Sequence, residues 1–435
     1  MQRLLMSDLV KWKENRYRKP LIIQGIRQCG KTYLLQEFAA LNYRDLAYFN
    51  FEDTPALSEL FERNLEPERI ITELGLLQGS SIKPASTLIV FDEIQFCPRA
   101  LTFLKYFYEK TPDYHLACAG SLLGIHLAKP SSFPVGKVDF LTLRPMNFEE
   151  FLLAQGEEDL ISYIKEIDGD SPLQKIFTDK LSSILKSYFL TGGMPEVVAR
   201  WLEYKDISVV EAAQDAIINA YELDFAKYAP AKDYYPKLSL IFKSIPDQLA
   251  RENGKFIYGR VKPGARSRDL EDALEWLIGA GIAHKVCKVE KPAMPLSAYA
   301  DRSHFKLYMA DIGLLRRIAR LPTTVILEKS TAYSEFKGAL VENYVLNELI
   351  GINGDIPYYW RSGNQAEVDF LIQIEEQIIP LEVKASTNLR SRSLAEYRKK
   401  YNPEIAVRTS LANLKGEEGL LNLPLYILFA LKRLL

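Results

Sequence analysis

The chain has 435 residues, 48% hydrophobic and 26% charged, an ordinary globular mixture too long for one hydrophobic core, so three or four modules are expected. A formal net charge of -1 excludes a global positive field, and any nucleic-acid contact must come from local basic patches. Cys29, Cys97, Cys118 and Cys287 lack metal-type spacing, which argues against a zinc site or a disulfide framework and fits a reducing cytoplasm.

The opening MQRLLMSDLVKWKENRYRKP reads as a charged amphipathic helix without the apolar run of a signal peptide. PLIIQGIRQCGKT follows, a short buried strand leading into G-x-x-x-x-G-K-[ST] and then the helix TYLLQEFAAL. Gly25, Ile26, Arg27, Gln28, Cys29 and Gly30 form the loop, and Lys31, Thr32 and Tyr33 open the helix; all nine are assigned to a bound nucleotide. The glycines let backbone N–H groups approach phosphate oxygens, the helix N-terminus adds partial positive charge, and Lys31 adds a full one. Thr32 is then placed to ligate Mg2+.

STLIVFDEIQ is a second buried strand, ending in Asp92-Glu93 where parallel α/β sheets place their ligands. Asp92 is expected to hold Mg2+ and Glu93 to act as general base on the attacking water. A third strand in YHLACAGSLLG ends at Ser121, which either senses the γ-phosphate through water or only caps the next helix.

These three segments together resemble the AAA+ ATPases. The continuing stretches KVDFLTLRPMNFEEFL, YFLTGGMPEVVARWLE, ELDFAKYAP and FKLYMADIGLL are similar to a group of bacterial and archaeal ATPases that resembles the STAND and origin-recognition branches. The resemblance implies ATP and Mg2+ as ligands and catalytic roles for Lys31 and Glu93. Self-association is a further expectation. It also implies that Gly192, Gly193 and Pro195 form a lid turn near the adenine, although Gly-Gly and Pro would break a helix there anyway. Gly136-Lys137 stands where relatives carry Gly-Arg, and a lysine cannot fork onto a phosphate as guanidinium does. Arg144 is the other nearby candidate, or else a surface ion-pair residue.

Residues 1–148 are thus expected to form the ATPase core, and 149–229, with apolar residues three and four apart, a helical lid. Across 230–332, PKLSLIFKSIPDQLA reads as a helix, VKPGARSRDLEDALEWLIGAGI as turn plus helix, and AHKVCKVE with FKLYMAD as a strand pair, the order of a winged helix. Arg251, Lys255, Arg260, Lys262, Arg266 and Arg268 fall close together there and could meet DNA phosphates. A solvated face or a protein contact is the other reading.

Residues 333–435 open after a linker, LPTTVILEKSTAYS, with EFKGALVENYVLNELIGI, a helix whose apolar face brings Glu342 close to the buried side. EVDFLIQIEEQIIPLEVKAS then reads as two strands, and a two-residue turn at Glu375-Glu376 sets Asp369 opposite Glu382, their Cβ atoms about 5 Å apart. Like charges so placed repel unless a cation lies between them. Lys384, one repeat along the same face, would stabilise charge developing on a cleaved phosphodiester. The apolar C-terminus, broken by Pro424, reads as a strand plus a closing helix rather than a membrane span.

Glu342, Asp369 and Glu382-Val383-Lys384 resemble the signature of the PD-(D/E)XK nuclease superfamily, with Arg361 or Gln365 near the same phosphate. The resemblance implies an α/β restriction-endonuclease-like fold, with Asp369 and Glu382 as ligands of Mg2+ or Mn2+. The fold class expected is α/β: a parallel-sheet P-loop AAA+ domain with helical lid, a winged-helix domain, and this C-terminal domain. Two functions stay open: an ATPase controlling a DNA-binding nuclease, or a nucleotide-gated switch with a non-catalytic docking domain.

Overall fold

The computed structural model describes residues 1–120, 134, 136–169, 171–228, 234–251, 254–327, 334–363, 366–386 and 392–435. The chain divides into two compact units, Met1–Arg144 with Gly279–Gly281, and Pro145–Ile278 with Ile282–Leu435.

The first unit is built on a five-stranded sheet: β1 (Leu21–Gln24), β2 (Asp45–Asn50), β3 (Thr87–Asp92), β4 (His115–Gly120) and β5 (Asp139–Thr142), in the order β2-β3-β4-β1-β5. Every pairing in it is parallel. Parallel strands are covered on both faces, and TLIVFD and HLACAG accordingly have no exposed residue. An aromatic cluster fills one side of the sheet, with Phe91 on β3 meeting Phe51 and Phe61 edge to face and Phe61 meeting Phe103. The parallel arrangement carries the ends of β1 and β3 to the same edge of the sheet, with β4 between them.

The second unit begins with five helices, Phe148–Ala154, Glu158–Glu166, Lys175–Thr191, Pro195–Tyr204 and Ile207–Tyr228. The first is started by a capping box in which Asn147 and Glu150 exchange side-chain and backbone hydrogen bonds. Gly192 and Gly193 are explained by close packing inside this unit. Gly193 N donates to Asp311 Oδ2 at 2.6 Å, Met146 N donates to Gly193 O at 2.7 Å, and a Cβ on Gly193 would lie 1.9 Å from Met146 O. Pro195 opens the helix that follows, where its missing N–H is not needed.

Helices Tyr234–Leu249, Tyr258–Val261 and Ser267–Gly279 precede the antiparallel pair β6 (Ala283–Val289) and β7 (Ala300–Met309). That pair is not a separate wing. β6 pairs with β8 (Tyr358–Ser362), so the hairpin forms one end of an eight-stranded sheet with β9 (Ala366–Ile374), β10 (Gln377–Val383), β11 (Ala406–Ser410), β12 (Lys415–Glu417) and β13 (Leu420–Pro424). The strand order is β12-β13-β11-β10-β9-β8-β6-β7. A boundary at 332/333 would therefore cut through one continuous sheet. Likewise 149/150 and 229/230 fall inside a single compact unit whose edge is at Arg144/Pro145. Backbone hydrogen bonding is the reason: β6 and β8 complete each other's ladders, whereas a hairpin alone is marginally stable.

Helix Ser334–Asn353 packs against β7, β9 and β10, and helix Arg392–Tyr401 against β9 and β10. Trp360, Val368, Leu371, Leu394, Tyr397 and Ala406 are among the residues of one core cluster. After β13 a 3-10 stretch, Leu425–Ala430, and the short helix Leu431–Leu434 close the chain. No helix among the described residues is long and apolar enough to cross a membrane.

Candidate functional site

The loop after β1 takes the shape its sequence requires. Gln28 and Gly30 have φ of 64° and 93°, in the left-handed region, and a Cβ on Gly25 would lie 2.1 Å from Leu143 O. Arg3 braces the loop, donating from Nη1 to Cys29 O at 2.9 Å and from Nη2 to Arg144 O at 2.5 Å. Ile26 and Cys29 are buried, Arg27 is half-buried, and Gln28 and Tyr33 are exposed. Lys31 folds back so that its ammonium donates to Gly25 O and Ile26 O, each at 2.9 Å. Both acceptors are neutral carbonyls, so the full positive charge stays available to an anion.

Thr32 and Asp92 come together from opposite sides of β4. Thr32 Oγ1 donates to Asp92 Oδ2 at 2.6 Å, Tyr48 OH donates to the same oxygen at 2.7 Å, and Glu93 N donates to Asp92 Oδ1 at 2.9 Å. Burial, and then the bond to Asp92, pushes the Tyr48 phenol up, which keeps it a donor. A hydroxyl and a carboxylate converging on one point are hard oxygen donors of the kind Mg2+ takes, so the residues present fit that ion. Glu93 has a left-handed φ of 50°, and its carboxylate accepts a hydrogen bond from Gln95. Lys137 pairs with Glu109 at 3.1 Å and lies over the Tyr108 ring. Ser121 and Gln365 lie outside the described residues.

In the second unit, β9 and β10 pair in the register that a Glu375-Glu376 turn demands, Gln377 with Ile374 through Leu381 with Phe370. Glu375 takes the left-handed φ, 51°, that closes this turn. Asp369 and Glu382 follow next in this ladder, and Val383 N donates to Asp369 Oδ2 at 2.7 Å. Glu382 is buried, accepting from Leu394 N at 3.2 Å and pairing with Lys384 at 2.5 Å.

All four signature residues line one cavity of about 420 Å³. Its wall also carries Lys306, Glu367, Arg361 and Arg251, three of which have positive charge. Lys306 Nζ lies 2.6 Å from Glu367 Oε1 and 3.4 Å from Glu342 Oε2, and Tyr308 OH donates to Glu342 Oε2 at 3.0 Å. Burial opposes the Lys306 charge, but Glu342 and the other carboxylates outweigh it and hold the ammonium above its usual range. Asp369 moves the other way for a carboxylate: burial, then the charge on Glu342, raises it well above the ordinary range.

Among the described residues, no group of three or more Asp, Glu, His or Cys is arranged to hold a metal ion. The oxygen donors of Asp369 and Glu382 suit Mg2+ or Mn2+ chemically, while Glu342 is already engaged by Lys306 and Tyr308. Lys306 and Glu367 were not legible as site residues by motif. Alternation along AEVDF, however, puts Glu367 on the same strand face as Asp369.

Residues 17–152 match the family described as AAA domain. Residues 182–324 and 337–428 match two domains of unknown function, DUF8612 and DUF4143. Two curated relatives are the uncharacterized proteins Rv2008c of Mycobacterium tuberculosis and Mb2031c of Mycobacterium bovis. Each is 33% identical over 91 residues, covering 20% of this chain and 20% of the relative's own length.

Solved structures with some likeness include the Walker-type ATPase PABY2304 of Pyrococcus abyssi, with 17% identity, a TM-score of 0.44, and 72% of this chain and 94% of that one covered. The Aeropyrum pernix ORC1 protein in complex with DNA has 14% identity and a TM-score of 0.30, over 75% of this chain and 95% of that one. AMPPCP-bound DnaA from Aquifex aeolicus has 13% identity and a TM-score of 0.28, over 63% and 87%. Residues 17–152 are an AAA domain, and the match supports an ATPase of the AAA type.

Proposed function

We propose that this chain hydrolyses ATP at the loop Gly25 to Thr32 and that the nucleotide state governs a DNA-binding second unit with a nuclease-like cavity. The observation that carries the first half is the meeting of Thr32 and Asp92 at 2.6 Å beside a buried lysine held only by loop carbonyls. Lys31 exchanges those carbonyls for phosphate oxygens, and the loop N–H groups and the helix N-terminus hold the remaining phosphate charge. Thr32 and Asp92 would hold Mg2+, which neutralises charge on the phosphates. Glu93, at the strand end, takes the proton of the attacking water.

Support for the second half is the gathering of Glu342, Asp369, Glu382 and Lys384 around one cavity, together with exposed Arg260, Lys262, Arg266 and Arg268. There Lys384 stabilises charge on the phosphodiester, and Asp369 and Glu382 would hold a divalent ion that supplies an activated water. The test is phosphate release from ATP and Mg2+- or Mn2+-dependent cleavage of DNA by the full chain. Lys31→Ala should abolish the first, while Asp369→Ala should remove cleavage and leave ATP turnover intact. Unchanged ATP turnover in Lys31→Ala would sink the ATPase reading.

One observation favours a second reading, in which the cavity binds nucleic acid or protein without cutting. Its four carboxylates, Glu342, Glu367, Asp369 and Glu382, are matched by four protein cations, Arg251, Lys306, Arg361 and Lys384, so charge balance requires no metal. Absence of cleavage on single-stranded, duplex and branched DNA, with binding retained, would select it.

A further inference from the structure

Lys306 has its side chain only 3% exposed, an unusual setting for an ammonium that its environment must explain. It sits on β7, Glu342 comes from helix Ser334–Asn353, and Glu367 comes from β9, so the one cation joins three elements. The Tyr359 ring lies 5.4 Å from Nζ, and a Cβ on Gly254 would lie 3.4 Å from its Cδ and Cε, which leaves the chain no alternative course. Removing such an ammonium leaves buried carboxylates uncompensated, the costliest arrangement for a buried ion pair.

We propose that Lys306 is the resident cation of this cavity: by engaging Glu342 and Glu367 it limits the cavity to at most one divalent ion, taken by Asp369 and Glu382. A second ion would need oxygens of Glu342 or Glu367 at about 2.0–2.6 Å. The ammonium already stands 2.6 Å from Glu367, and two like charges cannot share those oxygens at such distances. Asp369 and Glu382 differ in accepting from the backbone N–H groups of Val383 and Leu394, which orient a carboxylate without neutralising it. The single ion rests on the nuclease-like reading; the upper limit does not.

The experiment is Mn2+ titration of the nucleotide-free full chain by calorimetry, with the ions lost in Asp369→Asn counted as those of the cavity. The wild type should hold none or one, Lys306→Gln should hold one more, and Lys306→Arg, which keeps the charge, should match the wild type. Two ions in the wild-type cavity, an unchanged count in Lys306→Gln, or a gain in Lys306→Arg overturns the proposal. Should Lys306→Gln be unfolded without metal, Mn2+ should restore its folded circular dichroism, and failure to do so also overturns it. A wild-type count of zero without DNA cleavage removes the nuclease reading and leaves the limit standing. An unchanged count in Lys306→Gln does the reverse.

Discussion

In the first unit the candidate cation and carboxylates are kept apart: Lys31 rests on carbonyl oxygens, while Asp92 receives only neutral donors from Thr32, Tyr48 and the backbone of Glu93. In the second unit the same kinds of group are already paired, Glu382 with Lys384, Glu342 with Lys306, and Glu367 with Lys306 and Arg361. Charges left without a counter-charge mark a place that a ligand completes; charges paired inside the protein mark a place that is complete or must be opened. Both arrangements satisfy the rule that buried polar groups find partners, yet only the first leaves net charge for a phosphate.

The largest effect should come from removing the unmatched cation. Lys31→Ala is expected to lower ATP turnover by about a hundredfold or more, the scale of losing one electrostatic contact to a developing charge. Steady-state phosphate release measures it, and thermal melting should be nearly unchanged because only two carbonyl contacts are lost. A large loss of stability with turnover per folded molecule preserved would break the contrast, since Lys31 would then be a packing residue like those of the second unit.

Next comes a backbone contact that makes the second unit specific. Gly193→Ala places a methyl group 1.9 Å from Met146 O, and both backbones are fixed by hydrogen bonds, so relief requires breaking one. A loss on the order of 4 kcal/mol is expected, in the range reserved for named steric or strain mechanisms. Chemical denaturation followed by a second-unit probe would read it, and a change within 1 kcal/mol would show that the turn is free to move.

How much of this was legible in the letters differs between the two regions for the same reason. The first site is local: G-x-x-x-x-G-K-T fixes its own loop, and an apolar run ending in Asp-Glu marks the end of a buried strand, so residues and roles follow from short spacing. Tyr48 and Arg3 escaped because each reaches the site from a different element, through one hydrogen bond that leaves no periodic trace. The β9–β10 register was legible because one turn sets it, and the closing strand and helix followed from Pro424. The expected wing was not, because sequence shows a hairpin but not which edge strand it will meet, and β6 meets β8 some seventy residues later. Lys306 was hidden likewise: a lysine between Phe305 and Leu307 reads as the exposed side of an edge strand until helix Ser334–Asn353 covers it.

The smallest effect probes a carboxyl that the second unit buries without a cation. Glu348 accepts from Phe148 N at 2.8 Å through Oε1, while Oε2 has no hydrogen-bond partner. Burial, moderated by that N–H and reinforced by Glu149 and Glu150, pushes it up to about 8. In the unfolded chain the same carboxyl releases its proton near 4.5, so between those values the folded state holds a proton that the unfolded state does not. Stability from this group is therefore fully present at low pH and falls as pH rises across that window, with a limiting slope of about 1.4 kcal/mol per pH unit. A total on the order of 2 kcal/mol is expected, since the effective dielectric around buried groups is nearer about 20 than 4. Glu348→Gln keeps the shape and removes the titration, so urea midpoints of variant and wild type should coincide near pH 4.5 and separate towards pH 8, with the variant the more stable. Curves that run parallel across that range would mean that a cation reaches Glu348, and the second unit would then pair even this charge.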